Sequence, residues 1–201
     1  MKRLMIVRHG ESEWNAGRLL QGQADIDLSA RGRDQARALR PIIEGLAPDR
    51  TVCSDLRRAH DTAHLLGIAK PECRAELREI DVGDWTGRSI DEIRTRDPDA
   101  YRGWRAGTHT PPGGEIWSDF VARTTRCVRT ALAESERLLV VCHGGVIRAL
   151  LESLIGLPPR RIIPVGPASL TILAECPAEA GSMRLELFNY SPIGPVLDAP
   201  D

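Results

Sequence analysis

Two stretches of this chain carry an apolar run directly into a histidine and a glycine. Leu4-Met5-Ile6-Val7 leads into Arg8-His9-Gly10, and Leu138-Leu139-Val140-Val141-Cys142 leads into His143-Gly144-Gly145. Short aliphatic runs of this kind read as buried strands of a parallel sheet. Open α/β sheets place their chemistry just outside the carboxyl ends of such strands. A histidine there can serve as nucleophile or base, an adjacent arginine can hold an oxyanion, and a glycine lets the backbone approach a ligand closely. One such turn alone is equally a hydrogen-bonded corner of the core. Two in matched contexts predict two imidazoles at one edge of a sheet.

Other polar clusters follow in order along the chain. Glu11-Ser12 and Trp14-Asn15 come just after the first histidine, and Ser54-Asp55-Leu56-Arg57-Arg58-Ala59 with Thr62-Ala63 forms a second arginine motif. Leu77-Arg78-Glu79-Ile80-Asp81-Val82-Gly83-Asp84-Trp85 is an acidic motif, and Pro112-Gly113-Gly114-Glu115 precedes the second histidine turn. In this order and register the chain resembles the histidine phosphatase superfamily, which includes the phosphoglycerate mutases. The resemblance implies an α/β fold, a three-layer α/β/α sandwich, and a metal-independent phosphomonoester hydrolase acting through a phosphohistidine.

The implied roles suit the chemistry of a phosphate monoester, whose transferring group spreads negative charge over three oxygens. Arg8 and Arg58 offer planar donor forks to two of them, and His143 reaches a third. His9, held neutral, attacks phosphorus in line. Glu79 protonates the leaving oxygen and then activates water. Residue type alone leaves Glu76, Asp81 and Asp84 as rivals to Glu79, and Arg57 as a rival to Arg58; the motif positions select Glu79 and Arg58. Asn15, Gln21, Gly22 and Gly144 are expected to line the phosphate or the substrate mouth. The scheme calls for no metal and no cofactor.

Within the superfamily, the compact stretch after the acidic motif and the Leu20-Gln21-Gly22-Gln23-Ala24-Asp25 segment resemble the phosphatase branch, including enzymes acting on phosphorylated sugars and sugar acids. Phosphoglycerate mutase is the alternative, and a non-catalytic phospholigand-binding module a third reading. Val82 stands where the family often has an aromatic residue, and Ile116 where serine is common after Gly-Gly-Glu. Both are expected near the substrate mouth, where they bear on substrate choice.

The elements that must position these residues alternate between helix and strand. Ser29 is a candidate N-cap for a helix whose apolar positions include Leu39, Ile42, Ile43 and Leu46. Thr51-Val52-Cys53 reads as a strand, and Leu56, Ala59, Ala63 and Leu66 mark the next helix. Residues 84–114, with two of the four tryptophans, are expected to form a cap of one or two short helices over the sheet edge. Trp117, Phe120, Val121, Thr124, Cys127, Val128 and Leu132 predict a long helix, and Val146, Ile147, Leu150, Leu151 and Leu154 another. Strands around Leu170–Ala174 and Leu185–Tyr190 finish the sheet, and 191–201 reads as an irregular tail.

The 201 residues suffice for one domain with a substantial core. The 27 basic and 28 acidic residues nearly cancel, which argues against nucleic acid or a membrane surface as partner. A small phosphorylated metabolite is the expected partner; a homodimer is compatible with the sequence, which does not fix the oligomeric state. The five scattered cysteines read as reduced thiols, and the chain as cytoplasmic. His60 and His64 share a zinc-like spacing, but Asp61 replaces the glutamate of the metalloprotease pattern and no third ligand motif follows. They are read as part of a solvated helical face.

Overall fold

The computed structural model describes residues 1–179, 181–194 and 199. In chain order these form β1 (Arg3–Arg8), α1 (Glu13–Ala16), α2 (Ala30–Leu46), β2 (Arg50–Ser54), α3 (Arg57–Leu65) and β3 (Glu72–Arg74). There follow α4 (Ile90–Arg96), α5 (Pro98–Ala106), α6 (Trp117–Ala133), β4 (Arg137–Cys142), α7 (Gly144–Ile155), β5 (Leu170–Glu175) and β6 (Met183–Tyr190). The six strands form one sheet in the order β3-β2-β4-β1-β5-β6. β1 to β4 run parallel; β5 lies antiparallel to β1 and pairs antiparallel with β6.

Alternation along β1 divides the core between the two faces, as strand geometry requires. Leu4 and Ile6 join Phe120 and Val128 of α6 and Val146, Ile147 and Leu150 of α7. Met5 and Val7 point the other way, onto Leu39 and Ile43 of α2 and Ala59 and Ala63 of α3. Helices on both faces of a mixed sheet make the three-layer α/β/α sandwich. Each fully buried Leu, Ile or Phe stabilises this arrangement by roughly 1.5–3 kcal/mol.

The register of the central strands sets the site. Arg8 of β1 is paired with Cys142 of β4, so His9 and His143 leave the sheet side by side. β2 flanks β4 with Cys53 opposite Val141, which brings Ser54 and the first turn of α3 to the same edge. Helix starts follow local chemistry. Ser29 accepts from Gly32 N–H at 3.0 Å and caps α2, as its position predicts. Asp97 ends α4 and caps α5 through Ala100 N–H at 2.9 Å, with Pro98 in the first helical position where its missing N–H costs nothing.

Residues 84–114 hold the two short helices α4 and α5, with Trp85 and Trp104 in edge-to-face contact, centroids 6.0 Å apart. Strand β3 and the single-turn helix α1 were not foreseen from the sequence. Of the tail 191–201, residues 191–194 form a turn closed by Gly194 N–H and Ser191 O at 3.3 Å. Apart from residue 199, the rest of that segment lies outside the described residues. Among the described residues no helix is long and apolar enough to cross a membrane.

Candidate active site

A cleft of about 390 Å³, part of it open to solvent, lies at the carboxyl edge of β1 and β4. Arg8, His9, Gln21, Gly22, Arg58, Glu79 and Gly144 line it, joined by Val82, Trp104 and Arg148. His143 stands behind, its ring centroid 5.1 Å from that of His9 in an edge-to-face arrangement. The two imidazoles expected from the paired His-Gly turns are therefore neighbours.

Hydrogen bonding fixes the proton on the His9 ring. His9 Nδ1 lies 2.6 Å from Gly10 O, and a carbonyl can only accept, so Nδ1 carries the hydrogen and Nε2 the lone pair. Leu56 N–H donates to Ser54 Oγ at 3.3 Å, and the same hydroxyl shares a hydrogen bond of 2.8 Å with His143 Nε2. His143 Nδ1 is a buried atom without a hydrogen-bond partner among the described residues. Burial, reinforced by the Arg58 and Arg8 guanidiniums, holds the pKa of both histidines well below the usual 6.5. Both rings are neutral at physiological pH, and His9 offers the lone pair of its Nε2.

The arginines are held by backbone carbonyls. Arg8 Nη1 donates to Val165 O at 2.5 Å. Arg58 donates through Nη1 to Ala24 O at 2.6 Å and through Nη2 to Gly22 O at 2.9 Å, while its buried Nε has no partner among the described residues. Burial lowers the pKa of each guanidinium to about 10, so both stay charged at neutral pH. The two carbonyls that anchor Arg58 are neutral acceptors, which orient the cation without adding a negative charge beside it. Arg57 instead faces solvent and pairs with Asp27 at 2.9 Å, an arrangement that offsets its poor placement at a helix N-terminus. Thr62 ties the histidine loop to α3, accepting from Gly10 N–H at 3.0 Å and donating to Arg58 O at 2.7 Å.

Glu79 reaches the first turn of α7. Its Oε2 accepts from Gly145 N–H at 2.9 Å and its Oε1 from Ile80 N–H at 2.8 Å. Residue 145 has to be glycine for this approach, because a Cβ there would overlap the Glu79 carboxyl group. Gly22 has φ +48°, and a Cβ on it would press on Val82, so the loop carrying the Arg58 acceptors also depends on glycine. Asp81 accepts from Gly83 N–H at 2.9 Å and shapes its own loop rather than the cleft. Glu76 and Asp84 do not line the cleft either.

Two expectations are corrected in position. Asn15 is not among the cleft-lining residues; its Oδ1 accepts from Ser12 N–H at 3.1 Å and closes a capping box on α1. Ser12 in turn donates to Gln21 Oε1 at 2.7 Å. Val82 does line the cleft, but Ile116 is 56% exposed at the N-cap of α6 and takes no part in it. His60 and His64 lie on the outer part of α3 with Nε2 atoms 3.2 Å apart, and no group of three or more metal-ligating side chains occurs among the described residues.

Sequence reading overlooked Arg148, Trp104 and Arg123. An arginine inside the apolar run Val146–Leu151 is a visible anomaly that could have flagged Arg148. Arg123 carried no such signal, since its partners come from distant segments.

The model of the histidine phosphatase superfamily (branch 1) matches residues 4–189. The glucosyl-3-phosphoglycerate phosphatase of Mycolicibacterium vanbaalenii is 39% identical, over 79% of this chain and 76% of that protein. The 2,3-bisphosphoglycerate-dependent phosphoglycerate mutase of Methylobacterium radiotolerans is also 39% identical, over 81% of this chain and 84% of its own. A mycobacterial glucosyl-3-phosphoglycerate phosphatase solved with VO3 superposes with a TM-score of 0.86 at 35% identity, covering 95% of this chain and all of that one. The chain belongs to the histidine phosphatase superfamily, and is a phosphomonoester hydrolase of that family.

Proposed function

We propose that the protein removes phosphate from a small phosphorylated sugar or sugar acid through a phosphohistidine on His9. The observation that carries this reading is the His9 tautomer: Nδ1–H bound to Gly10 O leaves a neutral Nε2 lone pair beside two buried guanidiniums. In the first step His9 Nε2 forms a bond to phosphorus as the ester P–O bond breaks, and Glu79 gives its proton to the departing oxygen. Arg8, Arg58 and His143 hold the three phosphoryl oxygens. In the second step water loses a proton to Glu79 and attacks phosphorus, and the N–P bond breaks to release inorganic phosphate. Gln21, Gly22 and Gly144 form the walls against which the phosphoryl group is held.

Brief reaction with a 32P-labelled phosphomonoester is expected to leave acid-labile, base-stable label on the wild type and none on His9→Ala. Turnover by His9→Ala at the wild-type rate would overturn the mechanism. The mutase relative favours a second reading, transfer rather than hydrolysis. Incubation with 3-phosphoglycerate separates the two: inorganic phosphate marks hydrolysis, and 2-phosphoglycerate marks transfer.

A further inference from the structure

Cys53 of β2 and Cys73 of β3 are twenty residues apart in sequence, yet their Sγ atoms lie 3.8 Å from each other. Both are free thiols, Cys53 buried and Cys73 exposed. They are register partners in the parallel pairing of the two strands. Neighbouring strands lie ~4.7–4.9 Å apart, inside the ~4.4–6.8 Å that usually separates the Cα atoms of disulfide-bonded cysteines. Strand pairing thus supplies the spacing that a disulfide needs, and the sulfur contact shows that both side chains leave the same face. A buried cysteine is an ordinary small core residue. Its exposed partner sits between Glu72 and Arg74 on a three-residue edge strand, where core packing does not call for a thiol.

The pair stands where two parts of the cleft diverge. Cys53 is followed directly by Ser54, whose hydroxyl meets His143 Nε2 at 2.8 Å, and then by the helix of Arg58. Cys73 lies six residues ahead of Glu79, to which a single helical turn, Ala75–Leu77, leads. A two-pronged ion pair of Arg78 with Asp55, at 2.7 and 2.8 Å, joins the same two segments a second time. β2 is held on both sides, by β3 and β4, whereas β3 has β2 as its one neighbour. A disulfide bond is shorter than the present contact, so closing it draws β3 toward β2 and the Glu79 loop with it.

We propose that Cys53 and Cys73 are a modification site, which a peroxide oxidises to a reversible disulfide that displaces Glu79 and slows protonation of the leaving group. The exposed Cys73 sulfur attacks the peroxide: an S–O bond forms, the O–O bond breaks, and the departing oxygen takes the thiol proton to leave as water. Burial, and after it the neighbouring Cys73, pushes the Cys53 thiol up, which suits it to the second step rather than the first. The Cys53 sulfur then attacks that of Cys73, the S–O bond breaks, and the hydroxyl group leaves with the Cys53 proton as a second water. The two thiols lose two electrons, the peroxide gains them, and a thiol reductant reverses the change. The effect on turnover rests on the hydrolase reading with Glu79 as acid; formation of the bond does not.

In the test, the reduced full-length protein is treated with hydrogen peroxide, blocked with iodoacetamide and digested. The expected product is a cross-linked peptide pair containing Cys53 and Cys73, absent after dithiothreitol. Single-turnover phosphorylation of His9 by glycerol 3-phosphate is expected to slow about tenfold on oxidation, part of the ~10²–10⁴-fold that a general acid supplies. Labelling by p-nitrophenyl phosphate should change by about twofold or less, because its phenolate leaves unprotonated. Dithiothreitol should restore the rate, and Cys73→Ser should keep the reduced wild-type rate and resist peroxide. Absence of the cross-link under conditions that convert Cys73 to its sulfenic acid would overturn the proposal. So would cross-linked protein with an unchanged rate on glycerol 3-phosphate, or a peroxide-induced loss that persists in Cys73→Ser. If the reduced protein takes no label from either ester, the hydrolase reading fails, while the cross-linked peptide still decides the modification site.

Discussion

Arg123 and Glu115 form a two-pronged ion pair, with Nε to Oε1 at 2.6 Å and Nη2 to Oε2 at 2.8 Å. The same guanidinium donates to the main-chain oxygens of Glu76 at 2.7 Å, Arg78 at 2.9 Å and Glu79 at 3.1 Å. One side chain of α6 thereby gathers the loop that presents the Glu79 carboxyl group. Arg123 is a positioning residue: it touches the backbone of Glu79, the proposed acid, and does not line the cleft. Arg123→Met is expected to lower kcat on an alkyl phosphate by about 10²-fold through displacement of Glu79. It should also cost on the order of 2 kcal/mol of stability, or ~4–8 °C in Tm. If kcat on alkyl and aryl phosphates falls equally, Arg123 supports the fold alone.

Glu79→Gln separates proton donation from anion binding. An alkoxide leaving group needs a proton, so phosphorylation of His9 by an alkyl phosphate should slow by ~10²–10⁴-fold. p-Nitrophenolate leaves unprotonated, and the same step should slow far less. Single-turnover labelling of His9 is the measurement, because it excludes the hydrolytic step in which Glu79 also acts. Equal slowing for both esters would remove Glu79 as the acid.

Gly145→Ala should imitate Glu79→Gln without touching the carboxylate itself. The new methyl group occupies the space of the Glu79 carboxyl, which must swing away and lose its bond to the residue 145 amide. The expected signature is the same alkyl-against-aryl disparity, with helical circular dichroism preserved. Wild-type activity on alkyl phosphates would show that the carboxyl position is not critical.

The depressed pKa values of His9 and His143 have a consequence for stability. Unfolded, each titrates near 6.5; folded, each stays neutral to well below that value. Below pH 6.5 the unfolded chain binds more protons, so stability falls as pH falls, by about 1.4 kcal/mol per pH unit for each histidine. The loss continues until the native histidines themselves protonate. Urea midpoints at pH 7, 6 and 5 should show this decline, and His143→Asn should reduce its slope. An unchanged slope would show that the His143 pKa is not depressed in the native state.

What the sequence made legible was what short-range pattern encodes. Apolar runs marked β1, β2, β4 and β5, and the two His-Gly turns marked the edge where His9 and His143 meet. β3 escaped notice because Glu72–Arg74 is a three-residue edge strand with two charged side chains and no alternation to read. α1 is four residues long and is organised by Ser12 and Asn15 rather than by an apolar stripe. Family position favoured Arg58 over Arg57, whereas burial and carbonyl anchoring are what physically distinguish them. Arg123 and Arg148 depend on contacts across the fold, which no local pattern records.

The parallel, in-register pairing of β1 with β4 has a kinetic consequence. The two imidazoles come from segments far apart in the chain, so the histidine pair exists only once β1 and β4 have met. Joining them requires a long loop to close and both strands to seat in the correct register, since a slip of one residue would turn every side chain to the wrong face. Helices α2 and α6 draw on local contacts and can gain structure earlier. After dilution from denaturant, far-ultraviolet ellipticity should therefore return before phosphatase activity, and the interval between them is a clock for the central strand pairing.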